Sequence, residues 1–151
     1  MAEVNIHGTA IVVGTQGLIF VGPAGSGKST LAFTCLAAAR RLGLFSALVA
    51  DDQTMVSVRN GQVLARPPAT IAGLIELRGS GIVTVETLAP AVLHYAVLPV
   101  DLAEAERLPP EAEDLELTPE AILPLIRLSG RTPDPLAMLA AFIPFNGKAP
   151  S

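Results

Sequence analysis

Apolar positions along the chain fall in short β-prone runs broken by glycine, proline and acidic residues, with few helical stretches between them. Thr9-Ala10-Ile11-Val12-Val13 and Leu18-Ile19-Phe20-Val21 read as strands joined by the turn-like Gly14-Thr15-Gln16-Gly17, which makes a hairpin. Residues 28–41 are rich in helix formers. Arg40 and Arg41 sit at the negative end of that helix, with Gly43 just past it. Ser46-Ala47-Leu48-Val49-Ala50 predicts a buried strand ending in Asp51-Asp52. Met55-Val56-Ser57-Val58 and Gln62-Val63-Leu64-Ala65 flank Arg59-Asn60-Gly61, and Asn-Gly between apolar runs is a strong hairpin signal. Beyond Pro67-Pro68 the pattern predicts a short helical turn over 69–73, a charged loop over 76–81 and a strand over 82–85. Residues 92–98 alternate weakly and predict one strand. The acidic, proline-containing stretch 101–120 reads as an exposed connection or flap. Residues 122–127 predict a strand that Pro124 assigns to a sheet edge. Asp134-Pro135 opens a helix through about residue 142, with proline at the tolerated first position, and 144–151 reads as a loose tail.

Composition narrows the class. With 151 residues, 50% of them hydrophobic and 16% charged, one core-rich domain spanning 1–151 is expected. A formal net charge of -4 argues against nonspecific nucleic-acid binding, which needs basic stripes. No apolar run is long enough to span a membrane, and the first residues lack a signal-peptide layout, so no membrane association is expected. The single cysteine, Cys35, cannot form an internal disulfide. It fits a reducing cytoplasm and is expected to pack in the core.

Candidate chemistry gathers after the first hairpin. Gly22-Pro23-Ala24-Gly25-Ser26-Gly27-Lys28-Ser29-Thr30 fits G-x-x-x-x-G-K-[ST], between a β-prone run and a helix, the setting that this phosphate-binding loop requires. Glycines let successive N–H groups converge on an anion, and the helix N-terminus adds partial positive charge. Lys28 is placed to reach phosphates, and the Ser29 hydroxyl to ligate Mg²⁺. A plain glycine-rich turn is the alternative. Asp51 and Asp52 end a strand, where α/β proteins gather ligands. Adjacent residues on extended chain point apart, so one is expected to hold Mg²⁺ or orient the loop and the other to face substrate. Glu76 and Arg78 share a face if extended, fit for metal ligation and for clamping phosphoryl oxygens, or for a surface ion pair. His7 and His94 alone read as structural.

Four features occur in order: Ile6-His7-Gly8, the 22–29 loop, Val49-Ala50-Asp51-Asp52, and Ile75-Glu76-Leu77-Arg78-Gly79-Ser80-Gly81-Ile82. Together they resemble the catalytic domain of bacterial HPr kinase/phosphorylase, over nearly the whole chain. The resemblance implies an α/β fold, a P-loop kinase-type mixed sheet with flanking helices, like the core shared with phosphoenolpyruvate carboxykinase. It implies a cytoplasmic protein-serine kinase using ATP and Mg²⁺ on the phosphocarrier protein HPr, and phosphorolysis of the product to pyrophosphate. Residues 22–30 would bind the nucleotide, and Ser29, Glu76 and Asp51 would serve the metal. Asp52 would exchange the serine proton, with His7 beside it, and Lys28, Arg78, Arg107 and Arg131 would stabilise the transferring phosphoryl. Arg107 rests on Glu106-Arg107-Leu108 and Arg131 on Arg127-Leu128-Ser129-Gly130-Arg131-Thr132, both loose matches. Ser80 stands where an aliphatic is usual, and Thr132 where Asn is usual, in an altered segment that the resemblance ties to the dephosphorylating direction, which favours the kinase direction over the phosphorylase one. The family's N-terminal domain is expected to be absent, a short form resembling that of alphaproteobacteria, and a hexamer is implied. A small-molecule P-loop kinase and a nucleotide-sensing module without turnover are the competing readings.

Overall fold

The computed structural model describes residues 2–68 and 73–147. The first hairpin is longer than its apolar centre suggests. β1 (Val4–Val13) pairs antiparallel with β2 (Gln16–Val21) through Val13↔Gln16 to Gly8↔Val21. The phosphate-loop sequence follows β2 and leads into α1 (Lys28–Arg41), then β3 (Ser46–Ala50). β4 (Gln53–Arg59) and β5 (Gln62–Arg66) form the Asn-Gly hairpin, with φ of 53° at Asn60 and 76° at Gly61, the paired positive values its tight turn needs. β6 (Leu74–Leu77) and β7 (Gly81–Thr84) form a separate two-stranded sheet. β8 (Ala91–Leu93), β9 (Tyr95–Val100), β10 (Asp114–Thr118), β11 (Ala121–Ser129) and α2 (Pro135–Ala140) complete the chain.

The large sheet has nine strands in the order β10-β11-β9-β2-β1-β4-β5-β8, with β3 also on β1. β1 is its pivot. Its C-terminal half pairs with β3 and its N-terminal half with β4, both antiparallel, so Asp51-Asp52 interrupts one long edge laid along β1. β2, β9 and β11 run parallel to one another. Their C-terminal ends, and that of β3, therefore share the rim where the glycine loop starts.

Alternation along β1 sorts the core into two layers. Ile11 and Val13 face α1 and α2, joining Leu18, Phe20, Leu31, Cys35, Leu48, Leu136 and Leu139. Ala10 and Val12 face the other way, onto Val56, Val63, Ala65, Leu93 and Leu123, so this face is covered by curled sheet and not by helices. Cys35 is buried, and desolvation pushes its thiol up to about 12, with Asp134 adding to the effect, so it is an inert core residue.

Several expectations change. Residues 74–77 are a strand, so Glu76 sits on β6, paired with Ile82, and not in a loop. Residues 91–100 form two strands broken at His94, whose ring Nδ1 accepts the Gly17 N–H at 2.9 Å while the His94 backbone N–H donates to the Gly17 carbonyl at 2.8 Å. The acidic stretch is not all connection, for Asp114-Leu115-Glu116-Leu117-Thr118 is β10. β11 lies between β10 and β9, so Pro124 is not on an edge strand. The Leu125 N–H points to β10, bonding Glu113, so the Pro124 nitrogen faces the β9 side before that ladder begins at Leu125. The second helix ends at Ala140, capped at its start by Asp134, whose carboxylate accepts the Ala137 N–H at 3.1 Å. The helical turn expected over 69–73 falls largely outside the described residues, as does the end of the tail. Gly147 is held, its carbonyl accepting the Phe45 N–H at 3.0 Å.

Candidate active site

The rim begins where β2 ends. Gly22, Gly25 and Gly27 have φ of 132°, 82° and 99°, values that residues with a Cβ rarely adopt, and they wrap the loop around the start of α1. The helix carries no side-chain cap hydrogen bond at Gly27 and no acidic residue in its first turn. Its first amides are thus left to an external acceptor. Lys28 is only 5% exposed, and its Nζ donates to the carbonyls of Gly22 (2.9 Å) and Pro23 (3.2 Å). The ammonium is parked inside the loop that an anion would enter. In this same loop Ser26 Oγ is buried with no hydrogen-bond partner among the described residues.

Across from the loop, Asp51 and Asp52 face different groups because Asp52 takes φ 65°, which turns the chain between β3 and β4. Asp51 Oδ1 accepts from Ser29 Oγ at 2.5 Å and from Thr9 Oγ1 at 2.9 Å, and its Oδ2 accepts the Glu76 N–H at 3.0 Å. Asp51 thus ties α1, β1 and β6 together. Asp52 Oδ1 lies 2.6 Å from His7 Nε2 and 3.8 Å from Lys28 Nζ, and its side chain is 57% exposed. One carboxylate accepts three hydrogen bonds and the other opens to solvent beside a cation.

The hairpin of β6 and β7 closes the third side. Leu74, Glu76, Arg78 and Ile82 line a cleft of about 360 Å³ together with Gly25, Lys28, Ser29, Asp51 and Asp52. The Arg78 guanidinium lies over the loop, its Nη1 3.1 Å from where a Cβ on Gly25 would stand. Gly130, just past the end of β11, abuts the loop, where a Cβ would meet the Ser26 carbonyl oxygen at 3.2 Å. Neither Arg107 nor Arg131 is among the residues lining the cleft. A larger cavity, about 1020 Å³, lies at the other end of α1 and is lined largely by apolar groups such as Phe33, Leu36 and Phe45. The loop lysine, Ser29, both aspartates, Glu76 and Arg78 all lie on the smaller cleft, which is therefore the candidate site.

Ser29, Asp51 and Glu76 offer hydroxyl and carboxylate oxygens, hard donors of the kind Mg²⁺ takes. Among the described residues no group of three His, Cys, Asp or Glu side chains is gathered closely enough to hold a metal alone. The donor set therefore fits a cation shared with phosphate oxygens and water, not one caged by protein.

Sequence reasoning missed Thr9, Leu74 and Ile82 as members of this site. Thr9 lies inside an apolar run, and only the register of β1 against residues 50–53 puts it opposite the aspartates. Ile82, 66% exposed, reads from sequence as an ordinary strand hydrophobic, and Leu74, 40% exposed, falls between an expected turn and a charged loop.

A strand, an uncapped glycine loop and helix, and a carboxylate strand tip on a mixed sheet make this a P-loop protein of the α/β class. More narrowly, the chain belongs to the family of the HPr Serine kinase C-terminal domain, whose pattern matches residues 1–93. It is 34% identical over 86 residues to the HPr kinase/phosphorylase of Clostridium beijerinckii, covering 57% of this chain and 26% of that protein. The Clostridium tetani HPr kinase/phosphorylase is 31% identical over the same shares. The chain thus spans about a quarter of the length of the curated relatives it matches. In fold it is similar to the Hpr(Ser) kinase/phosphatase from Coxiella burnetii, with a TM-score of 0.75 over 91% of this chain and 92% of that one, at 20% identity. Arg107 and Arg131 lie beyond the residues that the family pattern matches. No described helix is long and apolar enough to cross a membrane.

Proposed function

We propose that this chain is a protein-serine kinase that transfers the γ-phosphoryl group of ATP to a serine of the phosphocarrier protein HPr, with Mg²⁺ as cofactor. The observation that carries the reading is the exposed Asp52 carboxylate, 2.6 Å from His7 and 3.8 Å from the loop lysine. Family membership and the names of the relatives support the choice of acceptor.

Loop amides and the start of α1 receive the phosphates. Lys28, released from the Gly22 and Pro23 carbonyls, moves its charge onto them. Ser29 and Glu76 would hold the metal, with Asp51 keeping the Ser29 proton so that the hydroxyl lone pairs face the cleft. Bound there, Mg²⁺ would supply neutralisation of phosphate negative charge. Asp52 takes the proton of the incoming serine as its oxygen bonds to phosphorus and the bond to ADP breaks. Oδ1 is held by His7, and Oδ2, with no hydrogen-bond partner among the described residues, is the oxygen that accepts. Arg78, which lines the cleft, stabilises the moving phosphoryl charge, with Arg131, next to Gly130 at the loop, assisting. Run backward with inorganic phosphate as nucleophile, the same Asp52 returns the proton to serine, and pyrophosphate leaves.

Incubation of the protein with HPr, ATP and Mg²⁺, followed by mass spectrometry of HPr, tests this. Gain of one phosphoryl group on a serine supports it. Nucleotide binding with no transfer to HPr contradicts it.

A further inference from the structure

Thr9 has no part in the reaction as just described, yet it is the residue on which both aspartates converge. Its side chain is fully buried, on β1 at the head of the apolar run Ala10-Ile11-Val12-Val13. The hydroxyl donates to Asp51 Oδ1 at 2.9 Å and accepts the backbone N–H of Asp52 at 3.1 Å. A hydroxyl has one proton to give, so these two bonds fix its rotor and its direction. The acceptor role is the informative one. Asp52 holds φ 65°, sparsely populated for a residue with a Cβ, and its N–H has left the regular ladder with β1. The Thr9 oxygen supplies the partner that the kink removes.

We infer that Thr9 is a positioning residue that holds Asp52 in its turned conformation and Asp51 against Ser29, so that one carboxylate serves the loop and the other meets the acceptor. The inference rests on the proposed kinase reading for its effect on rate, and on geometry alone for its effect on Asp52. The kink is also braced by the Gly8 N–H, which donates to the Asp52 carbonyl at 3.0 Å. Thr9→Val, nearly equal in volume, therefore keeps the fold while freeing the Asp52 amide. Loss of the hydroxyl lets Asp52 drift from the line between His7 and the phosphoryl. It leaves the loop amides and Lys28 where they are.

The test compares wild type, Thr9→Val and Thr9→Ser in two readouts. The first is transfer from ATP to HPr, split into kcat and the KM for ATP. The second is hydrogen exchange at the Asp52 amide, which needs no activity. Thr9→Val is expected to lower kcat about 10- to 100-fold, the size of one lost hydrogen bond to a charged group, with the KM for ATP unchanged. It is also expected to speed Asp52 amide exchange, and Thr9→Ser to restore both. Wild-type kcat in Thr9→Val, or an Asp52 amide as protected as in wild type, overturns the inference. A wild-type enzyme that transfers nothing to HPr overturns the kinase reading instead, and the exchange comparison still decides the role of Thr9.

Discussion

The φ of 65° at Asp52 gives two neighbouring carboxylates unlike surroundings. Asp51 is surrounded by donors from Thr9, Ser29 and Glu76, whereas Asp52 meets one imidazole and one ammonium and is otherwise open. Residue types and spacing made the loop, the aspartates and the Glu76 and Arg78 pair legible as candidates. The sequence also implied that neighbouring carboxylates would diverge. It held no sign of Thr9, because a threonine in an apolar run looks like any β-branched strand residue until pairing is known. Glu76 belongs to this scale. Its carboxylate lines the cleft without serving the fold, while its backbone N–H does the structural work on Asp51. Glu76→Gln is therefore expected to leave thermal stability within about 0.5 kcal/mol. The Mg²⁺ concentration for half-maximal transfer should rise about tenfold, read from a magnesium titration of activity.

At the scale of elements, the glycine loop and the β6–β7 hairpin form one unit across the cleft. Gly25 has φ 82°, and a Cβ there would stand 3.1 Å from Arg78 Nη1. Gly25→Ala combines backbone strain of about 1–2 kcal/mol with displacement of the guanidinium. Nucleotide affinity measured by calorimetry is expected to fall about tenfold or more, while the rest of the sheet is unaffected. α1 was legible to the residue, because Gly27-Lys28 opens it and the basic pair with Gly43 closes it. The hairpin at Asn60-Gly61 was legible for the same reason, since a local turn dictates the pairing. β10 and β6 were not. Acidic residues masked the alternation of Asp114 to Thr118, and Arg78-Gly79-Ser80 drew attention from the short run before it. The interior place of β11 was also hidden, because Pro124 excludes only the ladder on one side, and which side depends on tertiary pairing.

At the scale of the whole molecule, His94 joins the halves of the large sheet. It ends β8, which pairs with β5, and precedes β9, which pairs with β2. Gly17 approaches so closely that a Cβ there would come within 1.9 Å of the Val92 carbonyl oxygen. The ring Nδ1 accepts a hydrogen bond, so the fold requires it unprotonated, and burial lowers its pKa below the ordinary 6.5. The folded state thus binds this proton less readily than the unfolded chain. The contribution is complete above the ordinary value and is lost as pH falls through the lowered one. It is expected to be about 1 kcal/mol or less, since the ring is only half-buried. His94→Asn, which keeps an acceptor at the same reach, should remove this acid-side loss. Denaturant unfolding of both proteins at pH 7 and near pH 5.5 reads the difference, and equal pH dependence would show that His94 does not carry it.

The central claim joins these scales: a carboxylate turned outward by a kinked strand takes the proton of a serine brought to the phosphate loop by another protein. The most direct measurement is the mass of HPr after incubation with ATP and Mg²⁺ and either the wild-type protein or Asp52→Asn, with nucleotide affinity determined for both. The account predicts a phosphoserine on HPr with the wild type, a rate lower by about 10²–10⁴-fold with Asp52→Asn, and matching nucleotide affinities. Equal rates from the two proteins would contradict it.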